Sequence, residues 1–418
     1  MNEHFYKYIK YKSKYLNVKS QQAGGLKLSG PISFYSYKIL DKEIILLGDS
    51  HQSWNNMCNG VSNPNIKDLY LKIIASCREQ DDCYYIINYI DKIAKESGNP
   101  VHFFYESEYH AELDQKISLQ KIRKKIIKKG PSGPLDHVRF IYGKCLRNDV
   151  LCYNNTIAHQ ADYRSKIELD ALYSEISDIL KEFDKFGTKI YTFPPALYNF
   201  IIGQYPIIAK KIVASMYPFV SFTNTEALLK LNDDQLVEVM YNIIINIIQK
   251  DRKVLVPLID DIGTEIKEKY YGFIKMQLSK NLTDQFRKFL LALSMVAQGI
   301  DSFIIEFTNF KKIYDPQTPF SPRVRKSVAD IGKNIDDIDV FLLNFNTIFM
   351  DIYILAKLFS KSSNVQNAII YAGQAHIENY IKFLETNSAT PLQSVEPTKI
   401  DGIYNYDSDT NNRCLTIK

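Results

Sequence analysis

The sequence predicts an α/β protein: a mainly parallel central sheet flanked by helices, with a large helical insertion. Three observations predict it. Short apolar runs end twice in Gly-x-x-His, at residues 43–51 and 368–376. A third buried-strand pattern, Val101-His102-Phe103-Phe104-Tyr105, follows Pro100 and ends in Glu106-Ser107-Glu108. Between about residue 165 and residue 360 the periodicity is almost entirely helical. A buried strand running into glycine turns at the carboxyl edge of a parallel sheet, the edge where open α/β sheets bind ligands.

The elements follow in order. Residues 1–25 read as a basic amphipathic arm ending in Gly24-Gly25, with Tyr6, Tyr8, Ile9, Tyr11, Tyr15 and Leu16 interleaved among lysines. Residues 34–40 and 43–47 form a hairpin leading into the first Gly-x-x-His. Residues 68–94 are helical in pattern. After the 101–105 strand comes a basic helix, 117–129, broken by Gly130-Pro131-Ser132-Gly133-Pro134. Residues 156–164 read as a further strand, with Asp162 and Arg164 at its polar end. Helical runs then cover 167–186, 233–249, 258–297 and 335–359, punctuated by prolines that include Pro316, Pro319 and Pro322. The last sheet strand, 367–372, runs into a helix at 377–384. A polar tail ends in a short strand at 414–417. This divides the chain into the arm (1–25), a sheet domain (26–165 and 361–418) and a helical insertion (166–360).

Composition narrows the classes. The chain has 418 residues, enough for a full core and more than one structural unit. Its hydrophobic fraction is 45% and its charged fraction 24%, ordinary for a globular protein. The net charge is +5, and its lysines cluster only in the arm and at 121–129, so nucleic-acid binding is not expected. The best candidate for a membrane span, 196–218, is interrupted by Lys210 and Lys211 and carries Gly203 and Pro206; no transmembrane segment is expected. The first residues lack the apolar core of a secretory signal, so the expectation is a soluble protein made in the cytosol. The six cysteines show no Cys-x-x-Cys. Cys77 and Cys83 flank one loop, Cys145 and Cys152 another. Two local disulfides would form in an oxidising setting, but free buried thiols are the preferred reading.

Chemistry concentrates at the strand ends: His51 with Asp49, Glu106 with Glu108, His376, and Asp162 with Arg164. If those strands are neighbours, the groups converge on one cleft. Two imidazoles and a carboxylate suit a divalent metal held by His51, His376 and Glu106. They equally suit metal-free hydrolysis: one His takes a proton from water, a carboxylate orients the imidazole, and the second His or Arg164 stabilises an oxyanion. The glycine three residues before each His lets backbone and substrate approach closely. Plain alternatives stand beside each piece. Asp49 can simply cap a turn, Glu106 can neighbour a helix N-cap, and Asp162 with Arg164 can be an ion pair on one strand face. His102 reads as a core residue; His110, His137 and His159 rank lower. Trp54 lines a pocket or packs.

At Gly48–His51, Glu106 and Gly373–His376 the chain resembles the erythromycin-esterase, ChaN-like and TIKI/TraB superfamily. Its members carry an early strand ending in Gly-x-x-His or Gly-Glu-x-x-His, a second strand ending in Glu, and a late strand ending in Gly-x-x-His. The resemblance implies an α/β sheet with helical insertions and a hydrolytic site at these residues. Members include metal-dependent proteases, metal-independent esterases and haem binders. Asp49 stands here where the esterase branch has Glu. The arm, Tyr8-Ile9-Lys10-Tyr11-Lys12-Ser13-Lys14-Tyr15-Leu16 with Gly24-Gly25, resembles the N-terminal arm shared by many proteins of mimivirus-like giant DNA viruses. That implies contact with virion proteins through the arm, and a location in host cytoplasm or virion. The expected function is an ester or amide/peptide hydrolase acting on an unspecified substrate, with a divalent metal cation as cofactor. The rival is a non-catalytic structural or packaging protein on an old enzyme fold.

Overall fold

A computed structural model describes residues 25–50, 58, 83–108, 133–143, 145, 151–167, 173–174, 225–278, 282–292, 294, 322–397, 399–400, 403–404 and 413–417. It is a mixed α/β structure that divides into two compact units, Met1–Asp162 with Lys357–Lys418, and Tyr163–Ala356. The arm, the 117–129 helix, Trp54, Cys77 and His110 lie outside the described residues.

The first unit is built on a seven-stranded sheet. Its strands are β2 (Ser33–Ile39), β3 (Lys42–Asp49), β5 (Val101–Glu108), β6 (Leu151–Tyr153), β7 (Thr156–Asp162), β8 (Asn367–Gly373) and β9 (Thr390–Val395), in spatial order β6-β7-β5-β8-β3-β2-β9. The inner pairs β7·β5, β5·β8 and β8·β3 are parallel; β6·β7, β3·β2 and β2·β9 are antiparallel. The sheet is therefore mixed rather than mainly parallel. Hairpins at both margins, 151–162 and 33–49, add antiparallel neighbours to a parallel centre. A second sheet joins β1 (Leu26–Ser29) to β12 (Cys414–Ile417) on one side and β4 (Cys83–Tyr85) on the other. β10 (Lys399–Ile400) and β11 (Ile403–Tyr404) form a separate pair.

The central strands are apolar on both faces because helices cover both. On one face Leu47, Phe103, Tyr105, Ala158, Ile369 and Tyr371 meet helices α1 (Ile86–Glu96) and α2 (Pro134–Tyr142). α1 presents Ile86, Tyr89, Ile90 and Ala94 at helical spacing, and Pro134 opens α2, where a missing N–H costs nothing. Lys92–Glu96 and Lys95–Asp91 pairs line the exposed side of α1. Each fully buried large side chain in this layer contributes about 1.5–3 kcal/mol. Of the helical pattern expected over 68–94, residues 86–94 lie in α1, and 68–82 lie outside the described residues. Cys83-Tyr84-Tyr85, however, is a strand, drawn into parallel pairing with β1.

The helical unit contains α3 (Asp233–Lys250), α4 (Leu255–Asp260), α5 (Thr264–Gln277) and most of α6 (Pro322–Phe359). Asn232 and Gln235 form a reciprocal capping box that starts α3. The single run expected at 258–297 is broken at Asp261–Gly263, and α5 ends at Gln277. Pro322 does not interrupt a helix; it begins α6. Phe286 and Phe289 pack on Phe341 with ring centroids 5.2 and 4.5 Å apart. Residues 336–359 are, by length and composition, long and apolar enough to cross a membrane. Most of that stretch is buried in the protein, as in a core helix.

The cysteines differ from the preferred thiol reading. Cys145–Cys152 and Cys58–Cys414 are disulfides, and Cys83 is disulfide-bonded too. Adjacent spacing pointed only to local pairs; Cys58 and Cys414 are 356 residues apart in sequence and 4.5 Å apart at Cα.

Candidate functional site at the carboxyl ends of the central strands

β3 and β8 lie side by side in parallel, in register from Glu43 opposite Asn367 to Asp49 opposite Gly373. The two Gly-x-x-His segments thus leave the sheet from adjacent strands, offset by one residue. β5 flanks β8 on its other side, with Tyr105 opposite Tyr371, so Glu106 arrives at the same edge. β7 lies beyond β5 and brings Asp162 opposite Glu108.

Each group then acquires local partners. β8 ends at Gly373, which is the N-cap of α7 (Gln374–Thr386). The Gly373 N–H donates to Glu106 Oε2 at 2.9 Å. A carboxylate at that place satisfies one of the helix's open donors and complements its positive end. Arg139 of α2 donates through Nε to the Glu106 carbonyl at 2.5 Å, and its Nη2 sits 3.9 Å from Glu106 Oε1. His376 is the third residue of α7, 7% exposed, with its ring 6.5 Å from that of Tyr380. His51 lies outside the described residues; the chain is described up to Ser50.

Asp49 is 1% exposed and meets an equally buried Arg413. Arg413 Nη1 donates to Asp49 Oδ1 at 2.6 Å and to the Gly30 carbonyl at 2.7 Å; Nη2 donates to Ser50 Oγ at 2.6 Å. Burial opposes the guanidinium charge, but Asp49, together with Tyr371 and Tyr85, outweighs it and the Arg413 pKa is raised. Burial, then the Asp49 carboxylate, push the neighbouring Tyr371 phenol well above its usual value. Gly30 sits at φ +127°, a region costly for any side chain, and its N–H donates back to the Arg413 carbonyl at 3.0 Å.

Gly48 has a specific reason to be glycine. A Cβ there would strike Gln374 Oε1 and Ser33 Oγ, and Ser33 Oγ donates to Gln374 Oε1 at 2.5 Å. What closes on this glycine is therefore the second motif itself, through the first residue of α7. Gly48→Ala should destabilise the fold by about 1–3 kcal/mol, the usual cost of overpacking, read as a lower urea midpoint.

The remaining candidates separate. Asp162 is half-buried at the end of β7, whereas Arg164 lies in the 3-10 turn Tyr163–Lys166, within the other unit. They do not share a strand face, because pairing with β5 stops at Asp162 and the chain then coils, with the Ile167 N–H bonding the Arg164 carbonyl. His102 is buried and lies 3.0 Å from His159, Nδ1 to Nε2; His159 also stacks on Phe104 at 4.4 Å. His137 is buried against Tyr85, whose hydroxyl lies 3.0 Å from Nδ1. Among the described residues no three His, Cys, Asp or Glu side chains cluster as metal ligands would.

Arg413, Arg139, Ser33 and Gln374 are the residues sequence reasoning missed. Gln374 was visible inside the second motif; Arg413 sits next to Cys414 at the strand expected for 414–417, but nothing local tied it to Asp49. No family model, curated protein or solved structure matches the chain.

Proposed function

We propose that the chain is a hydrolase of ester or amide bonds whose centre is the imidazole pair of His51 and His376. The observation that supports this reading most is the parallel register of β3 and β8, which puts Asp49 opposite Gly373. One imidazole takes a proton from the attacking water while the second stabilises the developing oxyanion. Glu106 serves by fixing the Gly373 turn that delivers His376, its carboxylate holding that N–H at 2.9 Å. Asp49, neutralised by Arg413, orients the strand end that precedes His51. The divalent cation that His51, His376 and Glu106 suit by residue type is not carried into the proposal. One Glu106 oxygen holds a backbone N–H and the other faces the Arg139 guanidinium, which suits a capping carboxylate better than a metal ligand.

Hydrolysis of p-nitrophenyl acetate, an anilide and a peptide panel tests the reading. His51→Ala and His376→Ala should each lower turnover by about 10²–10⁴-fold. Unchanged turnover in both would overturn it, and one equivalent of a bound divalent cation by elemental analysis would overturn the metal-free form.

A second reading is a non-catalytic packaging protein that makes its contacts through the N-terminal arm. It is favoured by the saturation of the strand ends: Asp49 is neutralised, Glu106 is engaged, and His376 is buried. The disulfides favour an oxidising setting, so the virion fits better than the reducing host cytoplasm.

A further inference from the structure

The hairpin at the β6 margin carries a pattern that the strand-end chemistry leaves unused. Its two-residue loop is Asn154-Asn155, and Thr156 follows as the first residue of β7. Asn-x-Thr with x other than proline is the acceptor pattern for an N-linked oligosaccharide, which a folded protein accommodates only at its surface. Asn154 meets that demand. It is exposed, at φ +35°, a left-handed conformation that asparagine adopts more readily than most residues. Its Nδ2 donates to Asp91 Oδ1 of α1. An amide carrying one substituent keeps one N–H for that bond. Asn155 fixes the loop from beside it, donating through Nδ2 to the Asn99 carbonyl at 2.9 Å and the Ser97 carbonyl at 3.3 Å.

The loop stands at the amino ends of the central strands, since Thr156 lies opposite Val101 and Val101 opposite Asn367. Glu106, Gly373 and Asp49 are at the other ends. A bulky group on Asn154 therefore leaves the candidate site uncovered. It would rise beside Leu151, 60% exposed on the margin strand β6.

A three-residue pattern is common, and the state of the cysteines supplies the independent observation. Cys145–Cys152 closes beside this loop, Cys58–Cys414 is a second disulfide, and Cys83 is bonded as well. Among the described residues no cysteine is a free thiol. Disulfides form in the lumen of the secretory pathway and comparable oxidising spaces, and N-linked acceptor sites belong to proteins of that same setting. A second Asn-x-Thr, Asn281-Leu282-Thr283, has its asparagine outside the described residues and carries no part of the argument.

We propose that Asn154 is an N-glycosylation site whose donor is an oligosaccharide linked to a polyprenyl diphosphate. In the transfer, Asn154 Nδ2 bonds to the anomeric carbon of the first sugar. The bond from that carbon to the diphosphate oxygen breaks, the polyprenyl diphosphate leaves with the electron pair, and Nδ2 gives up one proton to the transferring enzyme. Thr156 is 1% exposed in the folded chain, so the transfer takes place before β7 closes against β5. The inference does not depend on the hydrolase reading.

The test uses the full chain, taken from its natural source without reduction and digested with trypsin. Cleavage after Lys144, Arg147 and Arg164 leaves peptide 145–147 joined to peptide 148–164 through Cys145–Cys152, so one mass reads both the disulfide and Asn154. The expected species carries the bond and an added oligosaccharide that fragmentation places on Asn154. In the same cells Asn154→Gly, which suits the positive φ, should lose the added mass, and Thr156→Ser should keep it. Should Asn154→Gly fail to fold, Thr156→Val, which leaves Asn154 in place, should lose the added mass as well. An intact disulfide with bare Asn154 would overturn the proposal. So would free thiols at Cys145 and Cys152 beside a bare Asn154, or an oligosaccharide confined to the peptide that carries Asn281.

Discussion

Arg413→Ala should cost about 3–5 kcal/mol of folding stability, the penalty for removing one partner of a buried ion pair. The guanidinium is 1% exposed and satisfies three oxygens: Asp49 Oδ1, the Gly30 carbonyl and Ser50 Oγ. Without it the Asp49 carboxylate remains in a 1%-exposed site beside Tyr371 and loses its charged partner. Asp49→Ala should be similarly damaging, because it strands the guanidinium. The double variant Asp49→Leu/Arg413→Met should be less destabilised than either single change, since an apolar pair avoids both desolvation penalties. Urea unfolding of the four proteins measures this. Additive losses would mean that the two side chains are not coupled and that the tail is held some other way.

The fold should also weaken in acid before its carboxylates titrate. Burial pushes His137 down to about 4. Burial, then the nearby His102 and Lys357, push His159 well below the usual value for histidine. Above about pH 6.5 folded and unfolded chains both hold these rings neutral, and no pH dependence arises from them. As pH falls below that value the unfolded chain binds protons that the folded chain refuses, so stability falls, and for His137 the loss continues until pH passes about 4. His137 alone removes about 1.4 kcal/mol per pH unit over most of that window, and His159 adds to it. The urea midpoint should therefore drop steeply between pH 6.5 and 5. His137→Phe should flatten that slope by about one proton; a midpoint that is level across the window would contradict the buried neutral state of both rings.

The central sheet was legible because doubly buried strands leave uninterrupted apolar runs. Ile44–Leu47, Phe103–Tyr105 and Ile369–Tyr371 need no alternation when helices cover both faces. The margins were not. β9 is polar and largely exposed at the sheet edge, and Pro391 and Gln393 read as tail; there an edge strand needs only its backbone to pair with β2. β4 was absorbed into a helical pattern because its three residues precede α1 without a break, and only pairing with β1 makes them a strand. In the candidate site, the neighbourhood of the two glycine motifs and Glu106 was readable from strand ends alone. The partners that fix those ends were not: Arg413 is 364 residues from Asp49, and Gln374 fits over Gly48 only once β3 and β8 are adjacent. Arg164 was misplaced because the sequence carries no mark of where β7 stops pairing.

The most direct test of one shared centre is the kinetic cycle of His51→Ala, His376→Ala and the double variant on p-nitrophenyl acetate. Groups that act as a unit lose activity together, so the double variant should be no slower than about threefold below the worse single variant. Losses that multiply, or single variants as active as the wild type, would contradict a site built from both strand ends.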